Sequence, residues 1–133
     1  MKVRSEFTIE KWEETNCGEP QNNMLTSRAS VIYKTTGEIN GKFNVEYILH
    51  YTNYNIDDEH NSEATYVGYM TFIGSWNNRS GSFVLEDKGV YSPTGPVSEL
   101  RIKPNTGTGD FKGIAGTGKY FAEDGKMVIE FEF

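Results

Sequence analysis

The sequence holds a single cysteine, Cys17, in 133 residues. An internal disulfide is therefore impossible, and the cystine-stapled secreted class is excluded. Histidine is almost absent, with only His50 and His60. A zinc site built from several His or Cys ligands has no material, so no metal is expected. Basic residues are outnumbered 13 to 19, for a net charge of -6. Long-range repulsion then opposes nucleic acid as a partner. Every apolar run is broken by charge or glycine well short of the roughly 20 residues of a bilayer helix, so no membrane span is expected. No apolar stretch follows Met1-Lys2-Val3-Arg4 to make a secretory leader, and a cytoplasmic protein is the simplest expectation. Asn78-Arg79-Ser80 matches a glycosylation acceptor but reads as a turn in that context. Strong apolar helix formers are also scarce: Leu stands only at 25, 49, 85 and 100, and Ala at 29, 64, 115 and 122.

Val, Ile, Thr, Tyr and Phe are present instead, which is the composition of strands. Apolar and polar residues alternate along much of the chain. Val3, Ser5, Phe7 and Ile9 share one face of a run, and Phe43, Val45, Tyr47, Leu49 and Tyr51 share one face of another. Met127, Ile129, Phe131 and Phe133 form a third such row. Further runs cover 25–35, 64–76, 82–88, 97–103, 109–114 and 118–122. Asn40-Gly41, Asn77-Asn78, Ser80-Gly81 and Asp124-Gly125 supply turn chemistry between runs. Pro93 and Pro96 bracket a connector, and Gly18 and Pro20 make 13–23 a loop. One all-β domain over 1–133 is expected, with about eight short-linked and mainly antiparallel strands. A closed barrel would leave no edges, whereas a sandwich would; periodicity alone does not separate them.

Three local motifs tempt and fail. Residues 113–119, Gly-Ile-Ala-Gly-Thr-Gly-Lys, fit the start of a phosphate-binding loop. The Ser or Thr needed next is Tyr120, and Tyr120-Phe121-Ala122 reads as a strand, not a helix. Asp57, Asp58, Glu59, His60 and Glu63 form an acidic cluster without the glycine or helices of a calcium loop. Cys17 lies in a polar stretch with no adjacent histidine to activate it.

The apolar rows carry the more informative signal. Tyr33, Tyr47, Tyr51 and Tyr66 sit in rows with core residues, and Asp87 shares its row with Phe83 and Leu85. Ser27 shares its row with Leu25, Ala29 and Val31. A carboxylate on such a row must be hydrogen-bonded, and tyrosine hydroxyls are suitable donors. Apolar walls with a few convergent polar groups are the composition of a small-molecule site. The same groups could serve a cofactor-free isomerase or cyclase, with Asp87 or a tyrosine moving a proton. They could also be amphipathic core residues of a structural barrel. Outward residues such as Ile32, Ile48 and Ile73 could then pair two copies of the chain.

Residues 68–74 and 79–85, with Gly107-Thr108-Gly109 and Gly113-Ile114-Ala115-Gly116 downstream, resemble the bacterial family called domain of unknown function 3224. The resemblance runs nearly end to end, through Phe7 to Trp12, Ser27-Arg28-Ala29 and the 37–41 turn. It implies a small barrel of the allene-oxide-cyclase-like type, related in shape to lipocalins. It implies no reaction and no cofactor. Where family members commonly carry an acidic residue and a histidine, this chain has Met70 and Asp87. Met70 therefore joins Ser27, the four tyrosines and Asp87 as a candidate lining residue for a small apolar ligand.

Overall fold

The computed structural model describes residues 1–54 and 62–133. Among these residues eight strands follow one another: β1 (Lys2–Asn16), β2 (Leu25–Gly37), β3 (Ile39–Asn53), β4 (Glu63–Trp76), β5 (Arg79–Ser92), β6 (Gly95–Ile102), β7 (Thr117–Glu123) and β8 (Lys126–Glu132). Each pairs antiparallel with the next, and β1 pairs with β8 to close the barrel. The choice between barrel and sandwich is thus resolved as a closed antiparallel β-barrel. Among the described residues, no helix is long and apolar enough to cross a membrane.

The hairpins show why these residues turn where they do. Asn77 and Asn78 both take positive φ, as do Asp124 and Gly125. Two such residues match the right-handed twist of the strands they join. Two other expected turns fall inside strands. The β2–β3 reversal is made at Gly37-Glu38, while Asn40-Gly41 lies within β3 and Ser80-Gly81 within β5. Gly41 pairs with Gly74, which pairs with Gly81. A Cβ on Gly41 would stand 2.8 Å from the Gly74 Cα, so these glycines serve close strand approach rather than chain reversal.

Two further expectations are corrected. Residues 13–16 are strand, not loop, because β1 runs on to Asn16 beside β2. Residues 109–114 contain a 3₁₀ turn at Gly109–Phe111 rather than a strand. That turn drops Phe111 into the barrel's lower end, where it packs 5.3 Å from Phe83 and 6.1 Å from Phe72. The acidic residues 57–60 lie outside the described residues; Glu63 opens β4 and is exposed.

The barrel's two halves differ. The lower half, near both chain ends, is filled with aromatic rings. Phe43 meets Phe72 at 4.9 Å, Phe72 meets Phe83 at 5.2 Å, and Phe133 stacks on Trp76 at 4.4 Å. Each buried phenyl there contributes about 2–3 kcal/mol. The upper half holds tyrosines, and part of its volume is open. An eight-stranded barrel is near the width at which side chains just fill the interior, so small residues at a few places suffice to leave a cavity.

Candidate functional site: a tyrosine-floored lumen

A cavity of about 310 Å³ occupies the upper half. Its walls are largely apolar: Phe7, Ile9, Trp12, Leu49, Tyr91, Pro96 and Met127. Its polar atoms come from Tyr33, Tyr47, Tyr51, Tyr66, Tyr120 and Glu14. All four tyrosines expected from the sequence therefore line it. The other three candidates do not. Ser27 is buried beside the mouth, Met70 is packed in the core, and Asp87 lies behind the tyrosine layer. Tyr47 stands between Asp87 and the cavity, with its hydroxyl on the carboxylate, and Met70 is packed between Val45 and Leu85.

The floor is built by a repeated device. Tyr47 on β3 pairs with Gly68 on β4, which pairs with Asp87 on β5. Gly68 has no side chain, so the Tyr47 ring crosses over it, and the Tyr47 hydroxyl donates to Asp87 Oδ2 at 2.8 Å. A Cβ on Gly68 would meet the Glu46 carbonyl and stand 3.0 Å from Tyr47 Cδ1. One step along, Tyr66 pairs with Gly89 and Gly89 with Ser98. There the Tyr66 hydroxyl crosses the glycine to hydrogen-bond the Ser98 hydroxyl. The Tyr47 hydroxyl also meets those of Tyr120 at 2.7 Å and Tyr33 at 3.1 Å.

A phenol has one hydrogen and two lone pairs. While Asp87 is ionised and accepts the single Tyr47 hydrogen, the Tyr33 and Tyr120 contacts are hydrogen bonds in which those two phenols donate to Tyr47. The proton order of the cluster is thus fixed by Asp87. Burial pushes the Asp87 carboxyl up to about 6, against the opposing pull of Tyr47, Ser98 and Tyr120. Asp87 Oδ1 is buried and has no hydrogen-bond partner among the described residues. Burial likewise raises the phenols: Tyr66 to about 12, and Tyr33, Tyr47 and Tyr120 well upward, so they stay neutral donors and acceptors.

A second polar group stands at the mouth. The Glu14 carboxylate accepts from Ser27 Oγ at 2.6 Å, Tyr51 OH at 2.7 Å and Trp12 Nε1 at 3.0 Å. Reading the sequence by alternation misses both Trp12 and Glu14. Strict alternation from Val3 sends residues 12 and 14 outward, but Ile9 pairs with Tyr33 and Lys11 with Ile32. Glu10 is therefore an extra residue, a β-bulge, and every side chain beyond it changes face. Tyr120 and Tyr91 are missed for another reason. Tyr120 lies between Gly118 and Ala122 on a short strand, so no apolar row marks its face. Tyr91 sits at the end of β5, beyond the run that alternation identifies.

No group of His, Cys, Asp and Glu among the described residues could hold a metal ion. Cys17 is exposed, and Lys119 of the glycine-rich stretch lies 3.6 Å from Glu130 on the outer surface.

These features define a small up-and-down β-barrel with one packed half and one hollow, aromatic half. The family model for a protein of unknown function, DUF3224, matches residues 3–133, and the chain belongs to that family. A solved structure from Shewanella oneidensis MR-1, described as a protein of unknown function from the DUF3224 family, is 24% identical. It covers 98% of this chain and 93% of its own, with a TM-score of 0.80, and so shares the fold. No curated protein matches.

Proposed function

We propose that the protein binds a small, largely apolar molecule in the upper lumen. One observation carries this reading: the cavity of about 310 Å³ lies directly above a lower half packed solid with phenyl rings. A barrel selected for stability alone gains by filling both halves, because empty volume forfeits contact energy. The volume falls at the lower bound of small-molecule sites, and the lining has the matching composition of apolar walls and few polar groups. A ligand burying about 250 Å² of apolar surface would gain about 6 kcal/mol, before the cost of association.

The test is recovery of the protein from its own host under native conditions, with mass spectrometry of whatever is released. A stoichiometric small molecule is expected. Its loss in a Leu49→Trp variant, which fills the cavity, would locate it. Retention of the molecule in that variant, or an empty wild-type protein that also fails to take up neutral lipophilic dyes, would overturn the reading.

The Asp87–Tyr47 hydrogen bond favours a second reading, acid–base chemistry on a lumenal molecule. Asp87 would act through the Tyr47 hydroxyl, since that hydroxyl stands between the carboxylate and the cavity. Any turnover found should then fall at least about tenfold in Asp87→Asn. Turnover that survives unchanged would remove the role.

A further inference from the structure

The charge on the lumen wall is of one sign. Glu14 is the charged side chain on the cavity wall among the described residues, and no Lys, Arg or His lines it there. The cations beside it on β1 and β2 are engaged outside: Lys11 with Glu13 at 3.2 Å, and Arg28, opposite Thr15, with Glu46 at 3.9 Å. Glu14 has three hydrogen-bond donors but no ion pair among the described residues. Its donors fix its position, and among the described residues no cation compensates its charge at the mouth of an apolar space.

The floor points the same way by independent geometry. With Asp87 ionised and holding the Tyr47 hydrogen, Tyr33 and Tyr120 give theirs to Tyr47, and what they offer the lumen is lone pairs. The walls add ring faces, including those of Trp12 and Tyr47, whose centroids lie 6.4 Å apart. Such faces carry the negative end of the aromatic quadrupole. An anion would meet a carboxylate, lone pairs and π-faces, and a neutral molecule would gain only from burial. A cation would be stabilised by all three.

We propose that the lumen selects an organic cation, a tertiary or quaternary ammonium on an apolar body, over neutral and anionic molecules of the same shape. The proposal rests on the lumenal reading above and deepens it. A quaternary group suits the site in particular, since Glu14 already has its donors and a methylated ammonium requires no acceptor.

The experiment is calorimetric or dye-displacement titration of the wild-type protein at pH 7.5 and low salt. Three probes are compared: phenethyltrimethylammonium, its neutral carbon isostere (3,3-dimethylbutyl)benzene, and the anion 4-phenylbutyrate. The cation should bind about tenfold or more tighter than the isostere, and the anion more weakly than both. In Glu14→Gln the ratio of cation to neutral affinity should fall towards one. Ile9 lines the cavity and is 55% exposed, so Ile9→Lys can be made without disturbing the core. It should lower cation affinity about tenfold and raise that of the anion. If the isostere binds as tightly as the cation, or if both variants keep the wild-type ratio, the cation proposal is overturned and the lumenal site stands. If none of the three probes binds and no lipophilic dye is taken up, both fall.

Discussion

Replacing Asp87 by asparagine should stabilise the barrel at neutral pH and do progressively less as the pH falls. Asp87 is 2% exposed, and burial raises its carboxyl from 3.8 to about 6. The fold therefore prefers the protonated acid. For a group raised on folding, the favourable contribution is complete below the unfolded value and is lost as pH rises through the folded one. That gap is worth about 3 kcal/mol, of which about 2 kcal/mol falls between pH 4.5 and 7.5. An amide is neutral throughout and keeps an oxygen to accept from Tyr47. The variant's stability relative to wild type should therefore grow by about 2 kcal/mol from pH 4.5 to 7.5, or roughly 7 °C in Tm for a chain of this length. Urea unfolding followed by tryptophan emission, in both proteins across that range, measures it. Taking the difference cancels the titration of every other carboxylate. A difference that stays flat with pH would show that Asp87 is not desolvated in the fold, and the argument for the floor's proton order would go with it.

Three more expectations follow from the same geometry. Gly68→Ala should cost about 2 kcal/mol or more by forcing strand against strand, because the new methyl meets the Glu46 carbonyl and crowds Tyr47; chemical denaturation checks it. Phe83→Ala should cost about 3–5 kcal/mol, since its ring sits among Phe72, Phe111 and Phe131. It should leave uptake of lumenal dyes intact, as Phe83 belongs to the packed half. Of the two tryptophans, Trp12 is 42% exposed and Trp76 is 9% exposed. Iodide should therefore quench Trp12, and a lumenal ligand should protect it, with both effects absent in Trp12→Phe.

Much of this architecture is legible in the sequence because a strand's side chains alternate. Tyr33, Tyr47, Tyr51 and Tyr66 were identifiable as lumenal residues because each sits in a row with residues that must be buried. The closure of the barrel was less accessible. It depends on β1 meeting β8 across the whole chain, a pairing that no local pattern encodes and that only likeness to a known family implies. The glycines misled for a physical reason. A glycine next to Asn looks like a turn, but Gly41, Gly68 and Gly89 are glycines because another strand's side chain or backbone occupies the space of their Cβ. What occupies it is set by cross-strand register and is invisible along one strand.

Glu10 is the sharpest case, because one residue decides the chemistry of the mouth. With Glu10 bulged out, Trp12 pairs with Val31 and Glu14 with Ala29, and both point inward. Deleting Glu10 removes the bulge but leaves Lys11 opposite Ile32 and every later pair unchanged. Deleting Glu13 instead keeps the bulge and moves Glu14 opposite Ser30, on the outer face. The two deletions remove the same residue type three positions apart and should diverge. The Glu10 deletion should keep the cross-strand contacts from Trp12 to Val31 and from Glu14 to Ala29 in a nuclear Overhauser experiment. Its main loss is the exposed ion pair with Lys42, worth no more than about 1 kcal/mol. The Glu13 deletion should lose the Glu14 contacts to Ser27 and Tyr51. If both deletions preserved those contacts, β1 would be free to slip past β2, and neither Trp12 nor Glu14 would be held at the lumen by the fold.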